Sequence, residues 1–308
     1  MTSPAREFSV LERICRPGQL EDSRVLIGPG DDLALVRAEG RGDVGGAEIL
    51  VGVDQLIDGI HVDIATVGWS AAGRKAVTRS LSDIAAMAGR PVSIVVSAAV
   101  PPDVTEASAM ELFDSMKETA SQYHAPLVGG DLAILKEGPL TCSVTVMAVP
   151  PPQGAVTRFG AQPGDGLYVT GQLGGAWRGT HHLTFEPRLS EASMLRAILQ
   201  DRLHAMLDIS DGLGRDAAHL VERSGLQVVI EADALPCRDG ADVSQAVGDG
   251  EDYELLLAAA GEVPEGLGAC PVTRIGTIQE RPDPDAPPVV LEWNGANHDI
   301  SQSGWEHQ

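Results

Sequence analysis

The sequence has few cations and few aromatic side chains. Lysine and arginine together number 22 against 44 aspartate and glutamate residues, which gives a formal net charge of −22, and aromatic residues make up 4% of the chain. A surface this acidic repels phosphate backbones and anionic lipid headgroups, so we expect neither nucleic acid nor a membrane as a partner. An anionic substrate would need nearby cations or a bound metal ion.

Cysteines and long apolar segments are also scarce. Four cysteines stand singly, without a Cys-x-x-Cys pair or a histidine at ligand spacing: Cys15, Cys142, Cys237 and Cys270. This pattern predicts free thiols in a reducing compartment. The longest mainly apolar run, residues 92–101, is far shorter than the roughly 20 residues of a membrane-spanning helix. Residues 1–20 lack the apolar core of a secretory signal, so we expect a cytoplasmic protein.

Several catalytic motifs are missing. The chain has no Gly-x-x-x-x-Gly-Lys-Ser/Thr, no Gly-x-Gly-x-x-Gly that opens a helix after a strand, and no His-Arg-Asp or Asp-Phe-Gly pair. It also lacks His-Glu-x-x-His and Gly-x-Ser-x-Gly. These absences exclude a P-loop, a Rossmann dinucleotide site and a protein-kinase site. An enzyme that transfers phosphoryl groups here would depend on metal ions and on positioning.

The arrangement of apolar segments predicts two α+β domains. A length of 308 residues suits two domains, and Pro150, Pro151 and Pro152 form the sharpest break, so we place the domains at 1–149 and 150–308. In the first half we predict helices at 9–14, 66–88 and 105–122, and strands at 32–36, 48–53, 92–99 and 140–149. In the second half we predict strands at 166–170, 226–231, 253–258 and 272–276, helices at 191–204, 212–224 and 241–247, and a loop after residue 281.

Acidic residues cluster beside glycines where strands are predicted to end. The segments lie at 30–32, 53–54, 81–83, 129–131, 208–211 and 248–252. Such loops can converge on one pocket. Two carboxylates about 4 Å apart repel by about 4 kcal/mol at an effective dielectric constant of 20. Because Mg²⁺ prefers oxygen ligands and bridges carboxylates to phosphates, we expect a metal-bridged phosphate site.

Each of these residues has a purely structural alternative. Asp211 stands before a predicted helix and would serve as its N-cap. Asp83 would pair with Arg79, one helical turn earlier. Taken singly, His61 suits a packed imidazole and Arg158 a surface cation.

The order of the motifs nevertheless resembles the thiamine-monophosphate kinase family, within the aminoimidazole ribonucleotide synthetase-like superfamily. The resemblance covers residues 8 to about 293. It rests on Gly-Pro-Gly-Asp-Asp at 28–32, Val-Asp at 53–54 with His61, Leu-Ser-Asp-Ile-Ala-Ala-Met at 81–87, Gly-Gly-Asp at 129–131, Thr-Arg at 157–158 before Pro-Gly-Asp at 163–165, Asp-Ile-Ser-Asp-Gly-Leu at 208–213 and Gly-Glu-Asp-Tyr-Glu-Leu at 250–255.

The resemblance implies ATP-dependent, in-line transfer of a phosphoryl group to thiamine monophosphate, which yields thiamine diphosphate. By this likeness, six aspartates would hold several Mg²⁺ ions: Asp32, Asp54, Asp83, Asp131, Asp208 and Asp211. ATP, the co-substrate, would be contacted by Gly130, Asp131, Arg158 and Ser210. His61 and Glu251 would face the thiamine compound. No residue would act as a general base, and two copies of the chain would pair as a homodimer through the sheets of their N-terminal domains.

Four positions depart from the family pattern. Gly52, Val53 and Leu132 replace hydroxyl residues that are usual in the family, and Ser80 stands where asparagine is common. The aromatic residue that closes the thiamine pocket is not identified in the segment 293–298. Two alternatives therefore stay open: a related ATP-dependent synthetase with another acceptor, and a non-catalytic homologue that binds nucleotide and metal.

Overall fold

The first half of the chain forms a six-stranded sheet. The computed structural model describes residues 22–40 and 46–305, so the predicted helix at 9–14 lies outside the described residues. The strands are β1 (Val25–Ile27), β2 (Ala34–Arg37), β3 (Glu48–Ile57), β4 (Arg90–Val100), β5 (Leu127–Ile134) and β6 (Thr141–Val149). Their order is β1-β2-β3-β6-β4-β5, and only β4 and β5 run parallel.

Helices cover one face of this sheet. They are α1 (Ile64–Val67), α2 (Trp69–Ala86) and α3 (Glu106–Gln122). Along β6, residues 142, 144, 146 and 148 are buried, whereas the residues between them are only half-buried. The buried set packs against α2 through Leu81 and Ile84. One face of the sheet is therefore covered by helices. No described residue covers the opposite face to the same degree.

The helix boundaries correct two predictions and confirm a third. Gly68, with φ +85°, interrupts the predicted helix at 66–88 and separates α1 from α2. The chain leaves α2 at Ala88, in the left-handed region, and Pro91 belongs to β4 instead of ending the helix. The start of α3 is confirmed, because Thr105 caps it by accepting a hydrogen bond from the backbone N–H of Ser108.

The second half forms a larger sheet. Its strands are β7 (Gly166–Thr170), β8 (Leu203–Asp208), β9 (Leu226–Glu231), β10 (Leu255–Ala259), β11 (Gly266–Leu267), β12 (Cys270–Glu280), β13 (Val289–Trp293) and β14 (Ala296–Asp299). The order is β14-β13-β9-β12-β7-β10-β8, with β11 paired to β12. The helices are α4 (His181–Thr184), α5 (Leu189–Leu199), α6 (Leu213–His219) and α7 (Val243–Gly248). The α+β fold class is confirmed, and the division at 149/150 stays a prediction.

Three predictions in this half are wrong in instructive ways. The predicted helix at 191–204 ends at Leu199, because Gln200 takes a left-handed conformation and the chain enters β8. Helix α6 is shorter than the predicted 212–224. The predicted loop after residue 281 contains the hairpin β13–β14, whose turn is Asn294-Gly295 with φ values of +52° and +75°. Asn-Gly is a strong signal for a two-residue hairpin turn.

A search for helices that are long and apolar enough to cross a membrane finds none among the described residues.

The contact between α2 and α3 generates a stability prediction. A Cβ atom added at Gly73 would lie 2.5 Å from the Leu112 carbonyl oxygen and 3.1 Å from Ser115 Cβ. Alanine normally stabilises a helix by about 1 kcal/mol relative to glycine. Because the helices would have to separate, we expect Gly73→Ala to lower the free energy of unfolding by about 1–3 kcal/mol instead. Chemical denaturation measures this difference.

Ser70→Ala, at an exposed position of the same helix, is the matched control. We expect that variant to stay within about 0.5 kcal/mol of the original protein. A Gly73→Ala variant as stable as this control would contradict the close helix contact.

Candidate functional site

Three aspartates from distant parts of the chain meet in one place. Asp32 precedes β2, Asp83 lies on α2, and Asp208 ends β8. Each offers a carboxylate oxygen, and these oxygens lie within 4.8 Å of one another. The structure thus brings both sheets to one acidic cluster, and three of the six predicted metal ligands lie in it.

The cluster lines a polar cavity of about 170 Å³. The cavity is bordered by Asp31, Asp32, Asp83, Arg158, Leu207, Asp208, Ser210, Asp211, Asp216 and His219. Arg158, predicted to contact ATP, forms an ion pair with Asp32 at 2.5 Å and lies 3.8 Å from Asp31. Five of the predicted residues therefore share a cavity with Asp32.

The electrostatics of this cavity favour added positive charge. Burial raises the pKa of Asp31 to about 7, and the charge of Asp32 adds to the effect. Burial and Asp32 also raise the pKa of Asp208 to about 7. The pKa of Asp83 is raised well above its usual range by burial and by Asp208. The carboxylates are thus held close together against their mutual repulsion.

The donor set fits a divalent cation. The buried Oδ2 atoms of Asp31 and Asp32 have no hydrogen-bond partner. Asp32, Asp83 and Asp208 come from different segments and offer oxygens within reach of one ion, and carboxylate oxygens are the ligands that Mg²⁺ prefers. Arg79, the structural partner considered for Asp83, forms its close ion pair with Asp54. Its charge also acts on Asp83 and partly opposes the rise in the pKa of that carboxyl.

The loop at 208–212 is held by a residue that sequence reasoning missed. Asp216, on α6, is buried and accepts hydrogen bonds from the backbone N–H groups of Asp211 and Gly212, both at 3.0 Å. The N-cap of α6 is Gly212, which excludes the capping alternative for Asp211. The side chain of Asp211 borders the cavity instead.

A second, narrow cavity of about 30 Å³ adjoins the first. Ser210 and Asp211 border both cavities. The second is otherwise lined by Ile60, His61, Arg79, Trp177, Asp249, Glu251, Tyr253 and Trp305. Three aromatic rings beside several carboxylates form an environment that suits a flat organic cation.

One stripe of α2 supplies charged groups to both cavities. Lys75, Arg79 and Asp83 are spaced four residues apart, so they lie on one face of the helix. Lys75 is completely buried, forms an ion pair with Glu251 and donates to the His61 carbonyl oxygen at 2.5 Å. Burial lowers the pKa of Lys75, and Glu251 opposes that shift. The Lys75 amine therefore links His61 and Glu251, the two residues predicted to face the thiamine compound.

The segment 251–254 turns its side chains to opposite sides. Glu251 and Tyr253 have positive φ values of 59° and 51°, and both border the narrow cavity. Asp252 and Glu254 point away from it and form ion pairs with Arg238 at 2.8 Å and Arg188 at 2.6 Å. This strained backbone is held from both sides, which positions Glu251 and Tyr253.

Three predicted site residues lie outside the cluster of Asp32, Asp83 and Asp208. Asp54 lies within β3, not at its end, and its Oδ2 is 2.7 Å from Arg79 Nε. Asp131 is exposed within β5 and pairs in register with Ser97, so it lies on the face opposite α2 and is not brought to the cluster. Its neighbour Gly130 has a packing reason to be glycine, because a Cβ there would lie 2.1 Å from the Val96 carbonyl oxygen.

Other residues of the site have signals in the sequence beyond the predicted set. Asp31 stands beside Asp32 in the same motif, and Arg79 and Lys75 lie one and two helical turns before Asp83. Trp305 lies beyond the segment 293–298. No local sequence signal marks Trp177.

The chain is similar to known proteins over most of its length. Residues 30–149 match the family described as AIR synthase related protein, N-terminal domain. A thiamine-monophosphate kinase from Rhodopirellula baltica is 32% identical, covering 84% of this chain and 85% of that relative. One from Mycobacterium tuberculosis is also 32% identical, covering 97% and 91%. The solved structure of AaThiL complexed with AMPPCP and TMP matches with a TM-score of 0.78 at 25% identity, over 98% of this chain and 97% of that one. The predicted synthetase-like fold is confirmed.

The raised pKa values generate a prediction for the metal-free protein. In the unfolded chain an aspartate has a pKa of about 3.9, whereas Asp31 and Asp208 have values of about 7 in the folded protein. The folded state therefore binds more protons between these values, and its stability falls as pH rises. In EDTA we expect the free energy of unfolding to be lower at pH 8 than at pH 5, by on the order of 2 kcal/mol.

Asp208→Asn tests whether the acidic cluster causes this pH dependence, because the asparagine side chain does not ionise. We expect the drop in unfolding free energy between pH 5 and pH 8 to be smaller in this variant, as measured by urea denaturation. An unchanged drop would show that the acidic cluster does not produce it.

Proposed function

Because the chain belongs to the thiamine-monophosphate kinase family, we propose that it transfers the γ-phosphoryl group of ATP to thiamine monophosphate, forming thiamine diphosphate and ADP. One observation supports this most directly. Asp32, Asp83 and Asp208 converge in a phosphate-sized polar cavity, which opens beside an aromatic and acidic one. The two cavities suit a nucleotide phosphate chain and an organic cation respectively.

We propose Mg²⁺ as the cofactor, held by Asp32, Asp83 and Asp208. When bound, it would screen the negative charges of donor and acceptor phosphates, which otherwise repel each other. The unpartnered Oδ2 atoms of Asp31 and Asp32 support this assignment. Asp211 borders the same cavity and is the fourth candidate ligand.

The residues of the chain itself bind and orient the phosphates. Arg158 is the guanidinium beside the cluster, and guanidinium binds phosphate oxygens through paired hydrogen bonds. Ser210 borders both cavities and so lies where donor and acceptor would meet. No general base is required, because the acceptor phosphate is already an anion at neutral pH.

The residues that line the narrow cavity suit the thiazolium ring of the acceptor, and the cavity of about 30 Å³ would widen to admit it. Trp177, Tyr253 and Trp305 are among these residues, and a cation is attracted to aromatic faces. We propose Trp305 as the aromatic residue that closes this pocket. Glu251 is held by Lys75, so its charge is fixed in position at the wall of the cavity.

A direct assay tests the proposed reaction. With ATP, Mg²⁺ and thiamine monophosphate, we expect thiamine diphosphate, detected by its fluorescent oxidation product. Asp83→Asn removes one carboxylate charge without changing side-chain shape, and we expect it to lower turnover by about 10²–10³-fold or more. Its unfolding free energy in EDTA should not fall, because repulsion in the cluster decreases.

Asp114→Asn, at an exposed position of α3, is the matched control and should retain full turnover. Release of ADP without thiamine diphosphate would favour a synthetase with another acceptor. Nucleotide binding without turnover would favour a non-catalytic homologue, and either result would refute the proposed reaction.

We also propose that the chain acts as a homodimer. Among the described residues, strand β5 lies at the edge of its sheet with only β4 beside it, and residues 130–134 are exposed on both of its faces. Leu132 and Ile134 are 51% and 71% exposed. A long apolar edge strand is a surface that proteins normally cover, and a second copy would bury it. Asp131 would then lie at the interface. A cytoplasmic location stays a prediction.

Light scattering tests the homodimer. We expect twice the mass of one chain for the original protein and the mass of one chain for Leu132→Glu/Ile134→Glu, because buried charges oppose association. Ile198→Glu, at a position 50% exposed on α5, is the matched control and should stay dimeric. A monomeric original protein, or a dimeric double variant, would contradict the proposal.

A further inference from the structure

The guanidinium of Arg79 is paired with Asp54 close to the acidic cluster of Asp32, Asp83 and Asp208. The Nε atom of Arg79 lies 2.7 Å from Asp54 Oδ2, and its Nη1 atom donates to the Gln55 carbonyl oxygen at 2.6 Å. The Arg79 side chain is only 12% exposed. It lies one helical turn before Asp83 and borders the narrow cavity.

Asp54 differs from Asp31 and Asp32 in the contacts of its two carboxylate oxygens. Its Oδ1 atom accepts a hydrogen bond from the Gln55 backbone N–H at 3.0 Å, and its Oδ2 atom faces Arg79. Both oxygens therefore have partners. Asp31 and Asp32, by contrast, each keep a buried oxygen without one. Asp32 is also paired with an arginine, Arg158, but it and Asp31 each keep a buried oxygen for a cation, whereas both oxygens of Asp54 are already engaged.

Charge and geometry together argue against a metal ion at Asp54. A divalent cation there would have to displace Arg79 or lie within a few ångströms of its permanent positive charge. Displacing it would leave a buried guanidinium without its main ionic partner. The guanidinium is held on its other side by the Gln55 carbonyl oxygen, which fixes it against β3.

We propose that Arg79 is a built-in cation that takes the place of one divalent metal ion at Asp54. Asp54 then positions a guanidinium and is not a metal ligand, and Arg79 supplies positive charge at the wall of the narrow cavity. The metal ions bind at the cluster of Asp32, Asp83 and Asp208 and not at Asp54. The inference rests on the proposed function only for the identity of the phosphates that this charge would attract.

Counting bound metal ions tests the proposal without turnover. Mn²⁺ serves as the probe, and electron paramagnetic resonance of free Mn²⁺ gives the number bound per chain in the presence of AMPPCP and without acceptor. We expect Asp54→Asn to bind as many Mn²⁺ ions as the original protein. We expect Arg79→Leu to bind one more, because Asp54 becomes available.

Two further variants test whether the extra Mn²⁺ ion binds at Asp54. Arg79→Lys keeps the charge and should gain no ion, and Arg79→Leu/Asp54→Asn should lose the extra ion gained by Arg79→Leu. Loss of one Mn²⁺ ion in Asp54→Asn would overturn the proposal, as would an unchanged count in Arg79→Leu. Thermal unfolding of each variant verifies that it is folded.

The count also separates this inference from the kinase assignment. Failure to form thiamine diphosphate would refute the proposed reaction and leave the Mn²⁺ numbers unaffected. An Asp54-dependent Mn²⁺ ion in the original protein would refute the role of Arg79 even if thiamine diphosphate were formed.

Discussion

Repulsion among buried carboxylates is the constraint on which this site depends. Asp31, Asp32, Asp83 and Asp208 border a cavity of about 170 Å³, and burial raises the pKa of three of them. Folding brings these groups together at the expense of their hydration. A divalent cation at the proposed metal site would relieve a repulsion that the fold imposes.

The protein compensates part of this charge with its own cations. Arg158 pairs with Asp32, Arg79 pairs with Asp54, and Lys75 pairs with Glu251. Two of these three cations lie on one face of α2, together with Asp83. In a chain with a net charge of −22, these cations stand where anionic substrates would have to approach. The acidic surface and a phosphate-binding site are therefore compatible.

Both halves of the chain are needed for the site. Asp83 comes from a helix on the first sheet, Asp208 from a strand of the second, and Ser82 donates a hydrogen bond to Asp208 across the contact. The loop at 208–212 depends on Asp216, and the segment 251–254 depends on Arg188 and Arg238. These supporting residues carry no substrate chemistry, but they determine where the acidic residues point.

Features that depend on residues close together in the sequence were predictable. The Thr105 cap of α3 follows from a hydrogen bond between residues three apart, and the stripe of α2 follows from helical spacing. Motif order was enough to identify the family and to select Asp32, Asp83 and Asp208. Strand β8 was mistaken for the end of a helix, and β5 was missed because its residues are exposed on both faces and leave no alternating pattern. Only the tertiary structure decided that Arg79 neutralises Asp54, that Asp131 lies on the opposite face, and that Trp305 lines the narrow cavity. These outcomes depend on which distant segments pack together, and spacing along the chain carries no information about that.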